Sequence, residues 1–192
     1  MKVLYVSKAL VVAAYRDKLR ALAAYADVTA LVPSRWGGQP PGPDHTAGAS
    51  SATPRDAEAS AGAGVSGGTG AAAADAPVQG DRTVTASPRI LTRPVLLGGH
   101  NHLHLYRGAG AVLDAVRPDL VHIDEEPYSI VTLQLAELCR MRGIPSLFFA
   151  WQTLGKKLPP PFGALRARVF RLVAGGIAGT PAAARVLRDA GY

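Results

Sequence analysis

"DLVHIDEEPYSIVTLQLAELCRMRGIPSLFFAW", Asp119 to Trp151, decides the fold. Its opening residues, DLVHID, read as a buried strand. From Ser129 to Gly143 the apolar residues recur at helical spacing, with Ser129 at the N-cap and Gly143 as C-cap. Pro145 to Trp151, apolar and aromatic, is the next strand. Strand, helix and strand in this order imply two parallel strands joined by a crossover.

The alternation extends in both directions. Upstream, KVLYVS (Lys2–Ser7) is a strand, AAYRDKLRALAAY (Ala13–Tyr25) has helical periodicity, and DVTALVP (Asp27–Pro33) is a strand closed by its proline. RILTRPVLL (Arg89–Leu97) reads as an edge or bent strand because Pro94 interrupts it. LYRGAGAVLDAVRP (Leu105–Pro118) reads as a helix ended before Pro118. Downstream, GALRARVFRLVA (Gly163–Ala174) sets Leu165, Val169, Leu172 and Val173 on one face with Arg166, Arg168 and Arg171 largely off it. GGIAGT (Gly175–Thr180) is a strand with little side-chain bulk. The last helix has Thr180 as N-cap, Pro181 at its first position and Gly191 as C-cap. The expected class is α/β, a doubly wound parallel sheet.

Residues 37–88 interrupt this pattern. They hold ten of the 21 glycines, and Val65, Val78 and Val84 are their only bulky aliphatics. So little apolar surface cannot offset the entropy of ordering the chain, which predicts a disordered low-complexity insertion between the two parts of the domain, 1–36 and 89–192.

Composition narrows the class further. The chain of 192 residues is 48% hydrophobic and 18% charged, as expected of a soluble globular protein, and no apolar run approaches the roughly 20 residues needed to span a bilayer. The amino terminus faintly resembles a signal peptide, but Ser7 and Lys8 break its apolar stretch and no convincing cleavage site precedes Tyr15 and Arg16. A cytoplasmic protein is expected. Cys139 is the single cysteine, which excludes an intramolecular disulfide and a thiolate metal cluster. The net charge of +7 is concentrated from Arg140 onward, where nine Lys or Arg, Arg140 included, meet one acid, Asp189. That region, 140–192, is either a solvated arginine-rich face or a peripheral contact with the inner face of an anionic membrane.

Ligands of doubly wound sheets lie beyond the carboxyl ends of the strands, where the strand order reverses. This selects loops beginning at Ser7, Asp124, Trp151 and Gly179. The first lacks G-x-G-x-x-G, which argues against a dinucleotide-binding dehydrogenase. Ser7 and Lys8 could instead offer a hydroxyl and a cation at a helix N-terminus, with Tyr15 and Arg16 facing the same cleft or the solvent. His100, His102 and His104 alternate, so an extended chain would project all three to one side. Zinc would need convergence at about 2.0–2.1 Å and a further ligand, so no metal is assigned, and one histidine is expected to face the cleft. Asp124, Glu125 and Glu126 repel one another and cannot all serve one proton transfer. One is expected to meet the dipole of the following helix and another to accept bonds from sugar hydroxyls or act as a base. Trp151 either stacks on a sugar ring or closes the core, and Gln152 could bond hydroxyls. Lys156, Lys157 and the prolines Pro159 to Pro161 form a stiff cationic loop.

The segments SKALVVAAYRDKL, LVPSRW, HNHLHLY, RPDLVHIDEEPYSIVT, FFAWQTL, KKLPPPF and IAGTPAAARVLRDAGY, in that order, resemble the amino-terminal domain of family 4 glycosyltransferases, the group 1 type with the GT-B fold. The resemblance covers nearly all of the chain outside 37–88. It implies two Rossmann-like domains facing across a cleft, of which this chain is the amino-terminal, acceptor-side half. The other half holds the nucleotide-sugar, a co-substrate, through a Glu-x7-Glu motif that does not occur here. Transfer proceeds with retention, generally without a bound metal and with no cofactor. The chain is thus expected to be a fragment or truncated product, inactive alone, with a sugar, lipid or small molecule as acceptor and no nucleic acid partner.

Three departures from the family pattern bear on the site. Ser7, Lys8 and Ala9 stand where many members have glycines, and Thr153 follows Trp151-Gln152 where an asparagine is more usual. Matching Glu126-Pro127 to the family's Glu-Pro puts Glu125 where many members carry a histidine close to the reacting sugar. Glu125 is therefore the expected catalytic residue, and Ser7, Lys8, Tyr15, Arg16, His102, Asp124, Glu126, Tyr128, Trp151 and Gln152 are the expected acceptor contacts. The competing readings are a non-catalytic membrane- or glycolipid-binding module and half of a GT-B nucleotide-sugar epimerase.

Overall fold

The apolar stretches resolve into strands and helices in a computed structural model that describes residues 1–42, 87–155 and 157–192. Most of the expected insertion, 43–86, and Lys156 lie outside the described residues. In chain order the elements are β1 (Lys2–Val6), α1 (Asp17–Ala23), β2 (Asp27–Pro33), β3 (Arg89–Arg93), β4 (Val95–Leu96), β5 (Leu105–Tyr106), α2 (Ala109–Val116), β6 (Leu120–Ile123), α3 (Ile130–Met141), β7 (Ser146–Ala150), α4 (Phe162–Leu172), β8 (Gly175–Ala178) and α5 (Pro181–Asp189). Six strands form one sheet in the order β3-β2-β1-β6-β7-β8, every pair parallel. The order reverses between β1 and β6, which makes the fold Rossmann-like and sets its switch point there. No described helix is long and apolar enough to cross a membrane.

Alternation along each strand divides the core between the two faces of the sheet. Leu4 and Val6 of β1, Leu31 of β2, and Val121 and Ile123 of β6 pack against Val112, Leu113 and Val116 of α2 and Val131, Leu135 and Cys139 of α3. On the opposite face Val3, Tyr5, Val28, Ala30 and Val32 pack against Leu10 and against Leu19 and Ala23 of α1. A third cluster joins Phe148 and Ala150 of β7 to Val169 of α4 and Leu187 of α5. Burying each of the valine, leucine, isoleucine and phenylalanine side chains among them is worth about 1.5–3 kcal/mol.

Local structure departs from the sequence expectation at four places. The helix expected over Ala13–Tyr25 is shorter: two 3-10 turns, Ala9–Val11 and Ala13–Arg16, flank an extended Val12, and α1 begins only at Asp17. Arg16 is the reason, since its guanidinium turns back to the Leu10 carbonyl (2.9 Å). Pro94 does more than bend a strand. It ends β3, and Val95–Leu96 leaves to pair antiparallel with Leu105–Tyr106, so the helix expected from Leu105 starts at Ala109, after Gly108 at φ 70°. Residues 37–42, which composition assigns to the insertion, are held by backbone bonds between Trp36 and Gln39 and from Gly42 to Val11. Ser129 stands at the N-cap position of α3 without a capping bond from its side chain, because its hydroxyl is engaged by His102 (3.0 Å).

The poor side-chain bulk of GGIAGT has a steric cause. A Cβ on Gly176 would lie 2.4 Å from Cζ of Phe148, whose ring is fully buried, whereas one on Gly163, in the first turn of α4, would meet nothing within 4 Å. Substituting alanine at these two glycines should have opposite effects in urea unfolding. Gly176→Ala should lower stability by about 1–3 kcal/mol through overpacking, and Gly163→Ala should raise it by up to about 1 kcal/mol by restricting the unfolded chain. A neutral Gly176→Ala would refute the aromatic contact.

Candidate functional site

The switch point brings together the loops after β1, β6 and β7. They bound a cleft of about 500 Å³ lined by Lys8, Ala9, Ala14, Tyr15, Lys18, Asp124 and Trp151. Four of the expected residues, Lys8, Tyr15, Asp124 and Trp151, therefore share one wall system. Tyr15 and Trp151 remain 49% and 62% exposed, so neither ring closes the core. Trp151 is nonetheless anchored: its ring packs on Phe149 (5.0 Å between centroids), Phe149 stacks on His122, and His122 lies tilted against Tyr5. On the side of β8, a Cβ on Gly179 would fall 2.8 Å from the indole, so the lack of a side chain there lets the ring lie over the strand end.

The three adjacent acids separate into three roles because successive residues after a strand point in different directions. Asp124 faces the cleft and pairs with Lys18, whose ammonium also lies 5.1 Å from the centre of the Tyr5 ring. Glu125 points inward, its side chain 1% exposed, and forms an ion pair with Lys8 while accepting the Lys8 backbone N–H (3.1 Å). Glu126 accepts the backbone N–H groups of Trp151 (2.8 Å) and Gln152 (3.0 Å), tying the loop after β6 to the loop after β7. Burial holds the carboxyls of both Glu125 and Glu126 above the usual range, opposed by Lys8 in the first case and chiefly by the two amides in the second.

The remaining expected residues make contacts within the fold and do not line the cleft. Arg16 is buried and takes no part in the cleft wall. The Ser7 hydroxyl is also buried and accepts the Ala9 N–H (3.2 Å). The anion expected at that helix start is therefore supplied from within, by the Glu125 carboxylate on the Lys8 amide. Gln152 donates through Nε2 to the Leu154 carbonyl (2.7 Å). His102 braces the start of α3 through Ser129 and packs on Tyr128 (4.8 Å between centroids), and burial beside Glu126 pushes the Tyr128 hydroxyl up to about 12. Glu125, the expected catalytic residue, does not line the cleft and reaches it only through Lys8.

The histidines do not form the extended row that their spacing suggests. Turns between His100 and Leu103 leave His100 exposed and His104 fully buried, and among the described residues no group of three or more His, Cys, Asp or Glu could hold a metal ion. His104 lies edge-on to Trp36 (4.8 Å) with Nε2 3.9 Å from Oε1 of Glu125. The backbone at His100 and Asn101 approaches the ring and favours its charged form, but among the described residues neither nitrogen has a partner in good hydrogen-bond geometry. Burial, helped by the nearby Lys8 charge, lowers its pKa from 6.5 to about 4, so it is neutral at pH 7. The sequence reading missed His104 as a neighbour of Glu125, and it missed Lys18. The latter was detectable, because it follows Tyr15 by one helical turn and a residue pair so spaced shares a face. No family model and no curated protein matches this chain, so the likeness to glycosyltransferases remains a resemblance.

The buried imidazole makes stability pH-dependent in a defined direction. The folded state disfavours the imidazolium and the unfolded chain does not, so the contribution of His104 is complete above pH 6.5 and is lost as the pH falls towards about 4. In urea melts the wild type should lose about 3 kcal/mol more than His104→Phe between pH 7 and pH 4. Parallel pH profiles for the two proteins would remove His104 as the cause.

Proposed function

We propose that this chain is the acceptor-side domain of a retaining glycosyltransferase of the GT-B type, with the acceptor seated in the cleft above β1, β6 and β7 and the nucleotide-sugar held by a second domain. The observation that carries this reading is the union, at the switch point, of two exposed aromatic rings, Tyr15 and Trp151, with a carboxylate and two lysines. Aromatic faces suit the apolar face of a sugar ring, and Asp124, Lys8 and Lys18 offer both acceptors and donors to its hydroxyls. Each lysine already has its own carboxylate. The cleft is therefore electrically balanced, which favours a neutral polyol over a free phosphate.

In this reading the domain binds and orients rather than supplying a free base. Asp124 accepts from the acceptor hydroxyl and holds it towards the donor. The leaving phosphate of the donor then takes the hydroxyl proton as the new glycosidic bond forms. Glu125 is a positioning residue that fixes Lys8, and Glu126 fixes the backbone on which Trp151 stands.

Trp36 and Trp151 are the two tryptophans, so a Trp36→Phe protein reports on Trp151 alone. Titrating it with a panel of neutral mono- and disaccharides should give a saturable change in emission for at least one sugar. Removing the Tyr15 ring (Tyr15→Ala) in the same background should weaken that binding about tenfold or more. Absence of saturable binding to every sugar, or equal affinity after Tyr15→Ala, would sink the acceptor-site reading.

A further inference from the structure

The antiparallel hairpin of β4 and β5 has no role in the cleft just described, yet it is built at a cost. Leu96 ends its first strand and Leu97 begins its turn, the two being 41% and 55% exposed, and Leu97 adopts φ 54°. A γ-branched residue in the left-handed region is strained, and glycine would relieve that strain. A solvent-exposed leucine held in such a conformation calls for a reason outside the fold.

The surroundings of the turn supply one. Arg93 lies immediately before the hairpin, with its carbonyl accepting the Ser34 N–H (2.8 Å), and Arg107 follows it, donating its backbone N–H to the Pro94 carbonyl (2.9 Å). The carbonyl of Arg35 is 3.7 Å from where a Cβ on Gly98 would sit. Three exposed arginines thus flank the two leucines. No carboxylate among the described residues pairs with any of them, and no acid occurs in 28–42 or 87–113. Elsewhere the arginines are partly neutralised: in the basic region 140–192, Arg142 is paired with Asp114 and Arg168 with Glu137.

We infer that the β4–β5 turn is a docking surface for an anionic lipid bilayer, with Leu96 and Leu97 entering the interfacial layer and Arg35, Arg93 and Arg107 meeting lipid phosphates. An apolar turn flanked by three cationic residues is complementary to that surface, where each nearby basic residue strengthens binding about fivefold and the attraction decays within a Debye length. The hairpin stands beyond the carboxyl ends of β2 and β3, the end of the sheet at which the cleft also opens. Docking there would bring the cleft towards the lipid surface. The surface stands on its own observations and does not require the sugar-binding reading.

Sedimentation with phosphatidylcholine vesicles, with and without about one-third phosphatidylglycerol, tests the inference. The wild type should bind the anionic vesicles at least tenfold more tightly and be released by about 0.5 M salt. Leu97→Gly keeps the left-handed backbone, so it should leave the melting temperature unchanged or raised while weakening vesicle binding several-fold. Arg93→Gln with Arg107→Gln should weaken it about 25-fold. The control is Arg140→Gln with Arg171→Gln, which alters a hollow of about 410 Å³ at the opposite end of the sheet and should bind as the wild type does. Equal binding to both vesicle types, no binding to either, or a loss confined to the Arg140 and Arg171 variant would overturn the proposal.

Discussion

The Glu125 carboxylate seated on Lys8 is the interaction on which the rest of the site depends. It joins the ends of β1 and β6, the two strands between which the sheet reverses its order. Taking the Glu125 charge out of water is expensive, and a largely buried pair of this kind does little for net stability compared with apolar packing. Its effect is on geometry. With Glu125 occupying the amide at the start of the first 3-10 turn, Lys8 is held at the cleft wall, and Asp124 and Glu126 must project to either side. One faces Lys18 and the other reaches the amides of the neighbouring strand end. Three consecutive acids are thus the means by which one loop fastens to three different elements.

This arrangement also sets which groups the cleft presents. A doubly wound fold usually presents unoccupied amides at its switch point, ready for a phosphate. Here a glutamate fills that place, and the absence of glycines at Ser7, Lys8 and Ala9 is consistent with it, since no ligand backbone needs to approach so closely. What remains available is a pair of aromatic walls and hydrogen-bonding groups of both signs. The uncompensated positive charge lies away from this cleft, around the β4–β5 turn and on part of the last quarter of the chain.

The sheet was legible in the sequence because its central strands are short apolar runs and the helices between them carry stripes at helical spacing; Asp119 to Trp151 alone contains two strands and the helix between them. Three of the four loops selected by the rule that ligands lie beyond strand carboxyl ends, those at Ser7, Asp124 and Trp151, bound the cleft, and the one at Gly179 does not line it. What could not be read was which way a side chain turns within such a loop. Arg16 and Tyr15 are neighbours, yet one curls inward to a carbonyl and the other lines the cleft. His100, His102 and His104 have strand spacing, yet the glycines before them place the segment in turns. In each case a tertiary hydrogen bond or a left-handed residue overrode a periodicity that was correct only for an unbroken element.

Gly179 has no side chain, and Trp151 lies across the space that one would occupy. The two positions, each directly after one of two neighbouring strands and 28 residues apart in sequence, are therefore a single steric unit. Drift at one should be permitted only together with compensation at the other: a smaller residue at 151 frees 179 to vary, whereas any side chain at 179 forces the indole off its seat. Among descendants of a common ancestor, substitutions at these two sites should arrive as pairs, so that covariation rather than invariance would mark the wall of this cleft.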